Sequence, residues 1–309
     1  MNSIICIAGP TASGKTALAV ELAKELQGEV VSCDSMYVYK RMNIGTAKPT
    51  LEEMQGIPHH MIDVAEAQED FSVSRYCEMA GPIVDDIVAR GKTAIIAGGT
   101  GLYMDSLIKG NDFAPFPSTG VRQRLEQETD EIGMDAMMEK LRSIDPEAAA
   151  RIHDRKRMIR ALEVYYETGE TITAHNLRTQ AIPPKYNPLW LGLDFEDRSE
   201  LYRRIDLRVD IMLQAGLLEE IRDLLASGIP AKATAMQAIG YKEFVAALEG
   251  KVTIEEAALE VKQASRRYAK RQLTWFRRNK SFHWLMRQNS ESGEEILEKA
   301  RQVLRNFDN

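Results

Sequence analysis

The sequence predicts an α/β fold: a doubly wound parallel sheet with an inserted all-helical domain and further helices at the C-terminus. Three observations lead there. Short apolar runs alternate with segments of helical spacing from Ile4 to Tyr103. Those runs end in glycine-rich or acidic turns. A charged helical stretch from Thr119 to Gly169 then offers no strand candidate before an apolar run returns at Leu189. Strands and helices in alternation, with the loops at strand ends, make parallel sheets.

The first run, Ile4 to Ala8, reads as a buried parallel strand, and Thr16 to Leu26 has apolar residues at helical spacing. Between them stands Gly9-Pro10-Thr11-Ala12-Ser13-Gly14-Lys15-Thr16, which fits G-x-x-x-x-G-K-[ST] in its confirming strand–loop–helix context. Two glycines let the backbone curl around an anion, and successive N–H groups and the helix N-terminus point at it. Lys15 adds a positive charge, and the Thr16 hydroxyl is placed to bind Mg²⁺. The loop alone leaves open which phosphates it holds.

Glu29 to Cys33 reads as a second strand, ending in Asp34-Ser35. An acid there, beside a phosphate loop, lies where open α/β sheets bind ligands. Met36 to Pro49 has no periodicity and reads as a functional loop. Pro58 to Val64 looks like a short strand entry. Its adjacent His59 and His60 point to opposite faces of a strand, which favours anchoring roles over one shared metal. Ser72 to Arg90 is helical by spacing. Lys92 to Ala97 is a strand that runs into Gly98-Gly99-Thr100-Gly101, a second glycine-rich turn with no acid.

Past Phe113 to Pro117 the pattern changes. The boundaries it predicts are a core of residues 1–115 and 189–309 and a helical insertion of 116–188, closed by Pro183, Pro184 and Pro188. Leu189 to Leu193 is again a strand. Long helices are expected over Arg198 to Ser227, Thr253 to Arg278 and Glu291 to Phe307.

Composition narrows the class. At 309 residues, with 44% hydrophobic and 28% charged residues, the chain is an ordinary globular protein of about two domains. No apolar run approaches the ~18 residues of a membrane span, and no signal peptide precedes the first strand. Cys6, Cys33 and Cys77 show no metal spacing, so a reduced, cytoplasmic protein without disulfides is expected. A monomer is expected as well. The net charge of −6 argues mildly against nucleic acid, but Lys262 to Arg287 carries nine Lys/Arg and no acid, with Tyr268, Trp275, Phe276, Phe282 and Trp284 interleaved. Such a stretch suits RNA phosphates and unstacked bases, or is a solvated helix face with its aromatics in the core. Arg204 and Arg208 lie four apart on one helix face. Either they reach the phosphate group or they pair with Asp206 and Asp210.

Gly9–Thr16, Asp34 to Tyr39, Ile44 to Pro49, Pro58-His59-His60, Gly98–Tyr103, Ile239 to Glu243 and Lys270 to Trp275 come in this order. Together they resemble the bacterial tRNA dimethylallyltransferases over nearly the whole chain. The resemblance implies a phosphate-loop-kinase-like core and transfer of a dimethylallyl group from dimethylallyl diphosphate to N6 of the adenosine 3′ of the anticodon, releasing diphosphate. It implies Mg²⁺ as cofactor, held at Thr16 and Asp34, and tRNA as partner. Gly9 to Thr16 and Arg208 would hold the diphosphate. Asp34, Thr100 and Lys15 would be catalytic. Asp34, Ser35, Met36, Tyr37, Thr100, Arg122, Lys156, Arg157 and Arg160 would contact tRNA. The family usually has Gln where Tyr37 stands, which leaves the base contact there open, and Gln-Arg where Lys156-Arg157 stands.

The chemistry fits those residues. Diphosphate leaves, so loop N–H groups, Lys15 and Mg²⁺ neutralise developing charge. The adenine amine is weakly basic and needs a carboxylate to take its proton; Asp34 is that base, or only organises the metal. Thr100 holds a flipped adenine or caps the next helix, and Ser35 belongs to the same shell or caps. A kinase of a small hydroxylated substrate would explain the phosphate loop but not the acid-free second turn. An RNA-binding protein without activity would leave Asp34 without a purpose.

Overall fold

The computed structural model describes residues 4–110, 119–288 and 291–307. No helix among them is long and apolar enough to cross a membrane. The chain divides into two compact units, Met1–Gly110 with Lys185–Asn309, and Asn111–Pro184.

The first unit is built on six parallel strands: β1 (Ile4–Ala8), β2 (Glu29–Ser32), β3 (His59–His60), β4 (Ala94–Gly98), β5 (Leu189–Phe195) and β6 (Phe282–Arg287), in the order β3-β2-β4-β1-β5-β6. Every residue of β1 and β5 is buried, as a strand covered on both faces requires. In β1, Ile4, Cys6 and Ala8 face one hydrophobic cluster while Ile5 and Ile7 face another. The second cluster is completed by α1 (Lys15–Glu25) and α13 (Gly293–Phe307). On the opposite face lie α3 (Val73–Ala89), α4 (Gly101–Lys109), α10 (Leu217–Ala226), α11 (Lys242–Leu248) and part of α12 (Ile254–Phe276). Between β2 and β3 runs α2 (Leu51–Met54), closed by a capping box from Thr50 and Glu53. The sheet is thus doubly wound.

Three features differ from the expectations. The helix expected over Arg198 to Ser227 is two, α9 (Arg198–Gln214) and α10, because Gly216 takes the left-handed conformation (φ 97°) between them. The strand entry around His59 is two residues long; His60 Nε2 donates to Glu29 and His59 Nδ1 to the Ile57 carbonyl, so both rings anchor the chain. The end of the basic stretch is not helical at all. It forms the edge strand β6, and Phe282 packs against Trp190 with ring centroids 5.0 Å apart.

The core resumes at Lys185, four residues before the sequence-based boundary at 189, because Lys185 and Tyr186 donate backbone N–H groups to Lys109 and Ile108. The other expected boundary, at residue 115, lies outside the described residues. All three cysteines are free thiols.

Among its described residues the second unit is built of four helices, α5 (Val121–Ile144), α6 (Pro146–Arg151), α7 (Arg155–Thr168) and α8 (Ile172–Ala181), with no strand. Gly133, at φ 85° and ψ 164°, kinks α5 into two arms. Leu125, Met137, Leu141, Met158 and Leu162 form its core. Asp145 knots it together: its carboxylate caps α6 through Ala148 N and also accepts from the N–H and hydroxyl of Thr173.

Candidate active site

β2, β4 and β1 are neighbours, so the turns leaving their C-terminal ends meet on one edge of the sheet. These turns carry Asp34, Gly99-Thr100 and Gly9–Thr16. Parallel topology alone therefore gathers residues far apart in sequence.

The phosphate loop has the shape that anion binding needs. Gly14 sits at φ 94° as the N-cap of α1, and no side chain caps the helix, so its first N–H groups stay open to a ligand. The Ser13 hydroxyl is buried in the loop and has no partner. Lys15 Nζ folds back to donate to the Pro10 carbonyl at 2.6 Å. Burial, and then the neighbouring Arg208, lower the Lys15 ammonium to about 7, although Asp34 pulls it upward. A cation held this uncomfortably is restored by an arriving anion.

Arg204 and Arg208 reach inward from α9. Arg204 Nε donates to the Ala12 carbonyl (3.0 Å) and Arg208 Nη2 to the Ala47 carbonyl (3.2 Å). The alternative pairing with Asp206 and Asp210 does not form, because those acids are taken by Arg266 and Lys262 of α12. Sequence reasoning missed Arg287 here. As the last residue of β6, it shares the Phe195 ring with Arg204, and its Nη1 would lie 3.2 Å from a Cβ placed on Gly14.

Asp34 is half-buried, and desolvation raises its carboxyl pKa; a hydrogen bond from Met36 N (2.9 Å) and the charges of Lys15 and Arg208 oppose the rise. Thr100 stands at the N-cap position of α4, but its hydroxyl does not cap that helix. Instead its Oγ1 accepts from Ser35 N (3.0 Å) and reaches Ser35 Oγ (3.3 Å). Asp34, Ser35 and Thr100 therefore form one connected group. Tyr268 joins it from α12: burial, then the Asp34 charge, push its phenol up to about 12 while its hydroxyl faces Thr100. The Tyr37 hydroxyl is engaged elsewhere, donating to the Ala47 carbonyl at 2.8 Å.

Two anchors behind this group are invisible in the sequence. Glu220 of α10 accepts from the backbone N–H groups of Asn43, Ile44 and Gly45 and from the Tyr241 hydroxyl. Gln272 of α12 accepts from Thr11 N and donates to the Gly99 carbonyl. Lys48, in the same loop as Gly45, is buried with its ammonium on Tyr39 O, Asn43 Oδ1 and Asp63 Oδ1.

The basic C-terminal stretch splits. Lys262, Arg266 and Arg277 pair with Asp210, Asp206 and Asp194, while Phe276 and Phe282 are buried in the core. Lys270, Arg271, Thr274, Trp275 and Arg278 line an open groove of about 250 Å³, with the Arg278 guanidinium stacked 3.8 Å over Trp275. In the helical unit, Arg122 and Arg160 share Glu163, and Arg157 lies exposed beside Asp154. Lys156 is exposed one residue away.

Metal chemistry can be judged from the donors. Among the described residues no three His, Cys, Asp or Glu side chains gather into a cage. Thr16 and Asp34 supply hard oxygen, and Mg²⁺ characteristically binds through one or two such groups plus substrate phosphates and water. The donor set fits that ion.

Known proteins carry the same pattern. A family model described as IPP transferase matches residues 37–279. The tRNA dimethylallyltransferase of Thermoanaerobacter sp. (strain X514) is 48% identical over 297 residues, covering 95% of this chain and 94% of its own. That of Acetivibrio thermocellus is 44% identical over 310 residues, covering 99% of each. The crystal structure of the tRNA isopentenylpyrophosphate transferase from Bacillus halodurans is 40% identical, covers 100% of both chains and superposes with a TM-score of 0.72. A eukaryotic dimethylallyltransferase acting on tRNA gives a TM-score of 0.84 at 30% identity, covering 99% of this chain and 80% of its own. With its fold, its phosphate loop and 40–48% identity to the bacterial enzymes over nearly their full length, the chain belongs to the IPP transferase family.

Proposed function

We propose that the protein transfers a dimethylallyl group from dimethylallyl diphosphate to N6 of the adenosine 3′ of the anticodon in tRNA, releasing diphosphate. The observation that carries this reading is the half-buried Asp34 carboxylate, set beside Lys15 and Arg208 at the mouth of the phosphate loop. A proton acceptor and a leaving-group site stand side by side, as substitution at an allylic carbon by a weakly basic amine demands.

In this reaction the N6–C bond forms as the allylic C–O bond breaks. The N6 proton goes to a carboxylate oxygen of Asp34, which stands beside Lys15 at the phosphate site. Negative charge growing on diphosphate is met by the open N–H groups of α1, by Lys15 and by Arg208, with Arg204 bracing the loop from behind. Mg²⁺, held by Thr16 and Asp34 when bound, would add further neutralisation of the diphosphate oxygens. Thr100, Ser35 and Met36 line the acceptor side, and the adenine enters it flipped out of the anticodon loop. Arg122, Lys156, Arg157 and Arg160 contact tRNA phosphates, which would compete with Asp154 and Glu163 for them.

The test is incubation with tRNA, Mg²⁺ and labelled dimethylallyl diphosphate. Label should appear in tRNA, and Asp34→Asn should slow single-turnover transfer by roughly 10²–10⁴-fold with tRNA binding little changed. Transfer of the labelled γ-phosphoryl group of ATP to a small hydroxylated acceptor, leaving ADP, with no label in RNA, would overturn the reading.

A further inference from the structure

We propose that Gln272 is a positioning residue that holds the diphosphate loop and the Gly99–Thr100 turn at a fixed separation, so that donor carbon and acceptor nitrogen meet in line. The inference rests on the transfer reaction proposed above.

The ladder between β1 and β4 ends at the pair Ala8–Gly98. Beyond it the two turns diverge, one to the diphosphate and one to the acceptor side. Gln272 bridges them where the ladder stops. Its Oε1 accepts from Thr11 N at 3.0 Å and its Nε2 donates to the Gly99 carbonyl at 2.9 Å. The side chain therefore acts as one more rung. Each partner fixes the amide's orientation, since an N–H can only donate and a carbonyl can only accept. Gln272 is 5% exposed, so water cannot easily take its place. The fit is close as well: a Cβ on Gly99 would lie 2.2 Å from Nε2, so glycine there makes room for the amide. The helix carrying it cannot slide, because the neighbouring Leu273 and Ala269 pack against Phe195, Leu201 and Ile205.

Neither contact of Gln272 touches the position of a reacting atom. What it sets is the relation of two half-sites, each held by other groups. Misplacing reacting partners by about 1 Å can cost on the order of 10²-fold in rate. Loss of the bridge should then slow transfer while leaving each substrate's own binding in place.

The experiment uses the full chain with tRNA and labelled dimethylallyl diphosphate, both saturating, in single turnover. Gln272→Leu should be roughly 10–100-fold slower, with the dissociation constant of each substrate alone within about threefold of the parent's. Gln272→Glu supplies a second, independent readout. Its protonated carboxyl can still accept from Thr11 N and donate to Gly99, whereas the carboxylate keeps only the first bond. Burial raises such a group's pKa, so its rate relative to the parent should recover as pH falls from about 8 to about 6. A parental rate in Gln272→Leu, a loss of affinity equal to the loss of rate, or a pH-independent ratio for Gln272→Glu would each overturn the proposal. Should the leucine variant not fold, the pH ratio of the glutamate variant decides alone. Failure of the parent protein to label tRNA would instead remove the transfer reaction itself.

Discussion

Replacing Glu220 with alanine tests whether one carboxylate holds the loop from Asn43 to Lys48. Oε2 accepts from Asn43 N at 2.7 Å and Ile44 N at 2.8 Å; Oε1 accepts from Gly45 N at 3.1 Å and the Tyr241 hydroxyl at 2.6 Å. Bonds to an ionised acceptor contribute about 1.5–3 kcal/mol each, against about 0.5–1.5 for neutral ones. Glu220 is half-buried, so water can reach part of what it leaves. Four bonds sharing one carboxylate also do not add. The expected loss is therefore about 2–4 kcal/mol for Glu220→Ala and about 0.5–1.5 kcal/mol for Tyr241→Phe. At roughly 2–4 °C per kcal/mol for a unit this large, the alanine variant should melt about 4–16 °C lower. Scanning calorimetry of both single variants and the double gives the cycle. Once Glu220 is gone, Tyr241→Phe should cost almost nothing more. A Glu220→Ala melting temperature within about 1 °C of the parent's, or strictly additive single effects, would refute the idea. The loop's Ala47 carbonyl receives both Arg208 and Tyr37, so the KM for the diphosphate substrate should rise as well.

Three further outcomes are expected. Lys15 has an ammonium lowered to about 7 in the free protein, and a bound diphosphate should raise it, so the complex holds more protons above that pH. Diphosphate association should thus weaken as pH rises past about 7, by up to tenfold per unit; calorimetry in buffers of differing ionisation enthalpy should show proton uptake at about pH 8, and none would count against it. Gly45→Ala puts a Cβ 2.6 Å from Tyr241 Cε2 and 2.8 Å from Leu217 Cδ1, an overpacking that should cost about 1–3 kcal/mol in urea unfolding; unchanged stability would mean the loop yields freely. Lys156→Gln with Arg157→Gln should flatten the log–log salt dependence of tRNA binding by roughly 0.7–0.9 per lost phosphate contact, and an unaltered slope would place both in solvent.

The first strand, phosphate loop and helix were readable because each advertises itself locally: a run of buried aliphatics, two glycines at fixed spacing, a lysine opening the helix. Asp34 and Thr100 were readable as strand-end residues, and sheet order then brought them together. β6 was not readable. It is an edge strand in which Phe282 and Leu285 are buried while His283 is exposed, so its composition blends into the basic helix before it. Glu220 and Gln272 were hidden for a different reason. A glutamate on a charged helix and a glutamine inside a basic one carry no local signal, and their partners lie as far as 177 and 261 residues away. The break at Gly216 was available as a glycine inside a helical run, but spacing on both sides argued for continuity.

At Lys109 and Lys185 the chain leaves the core and comes back through nearly the same point. Lys185 N and Tyr186 N donate to the carbonyls of Lys109 and Ile108, Lys185 Nζ pairs with Asp85 at 2.7 Å, and a Cβ on Gly110 would lie 2.8 Å from that of Lys185. Seen as a string, everything from 111 to 184 is one loop pinched shut at its base. The parallel sheet would close in the same register around a short connector, because none of its strands comes from the described residues of the enclosed segment. Lengthening or shortening that segment changes the closure entropy only logarithmically, by about 0.6 kcal/mol per doubling. Sequence drift, insertions and deletions within it are therefore nearly decoupled from the folding of the half that carries the phosphate loop, which leaves the segment free to change without retuning the sheet and its strand-end turns.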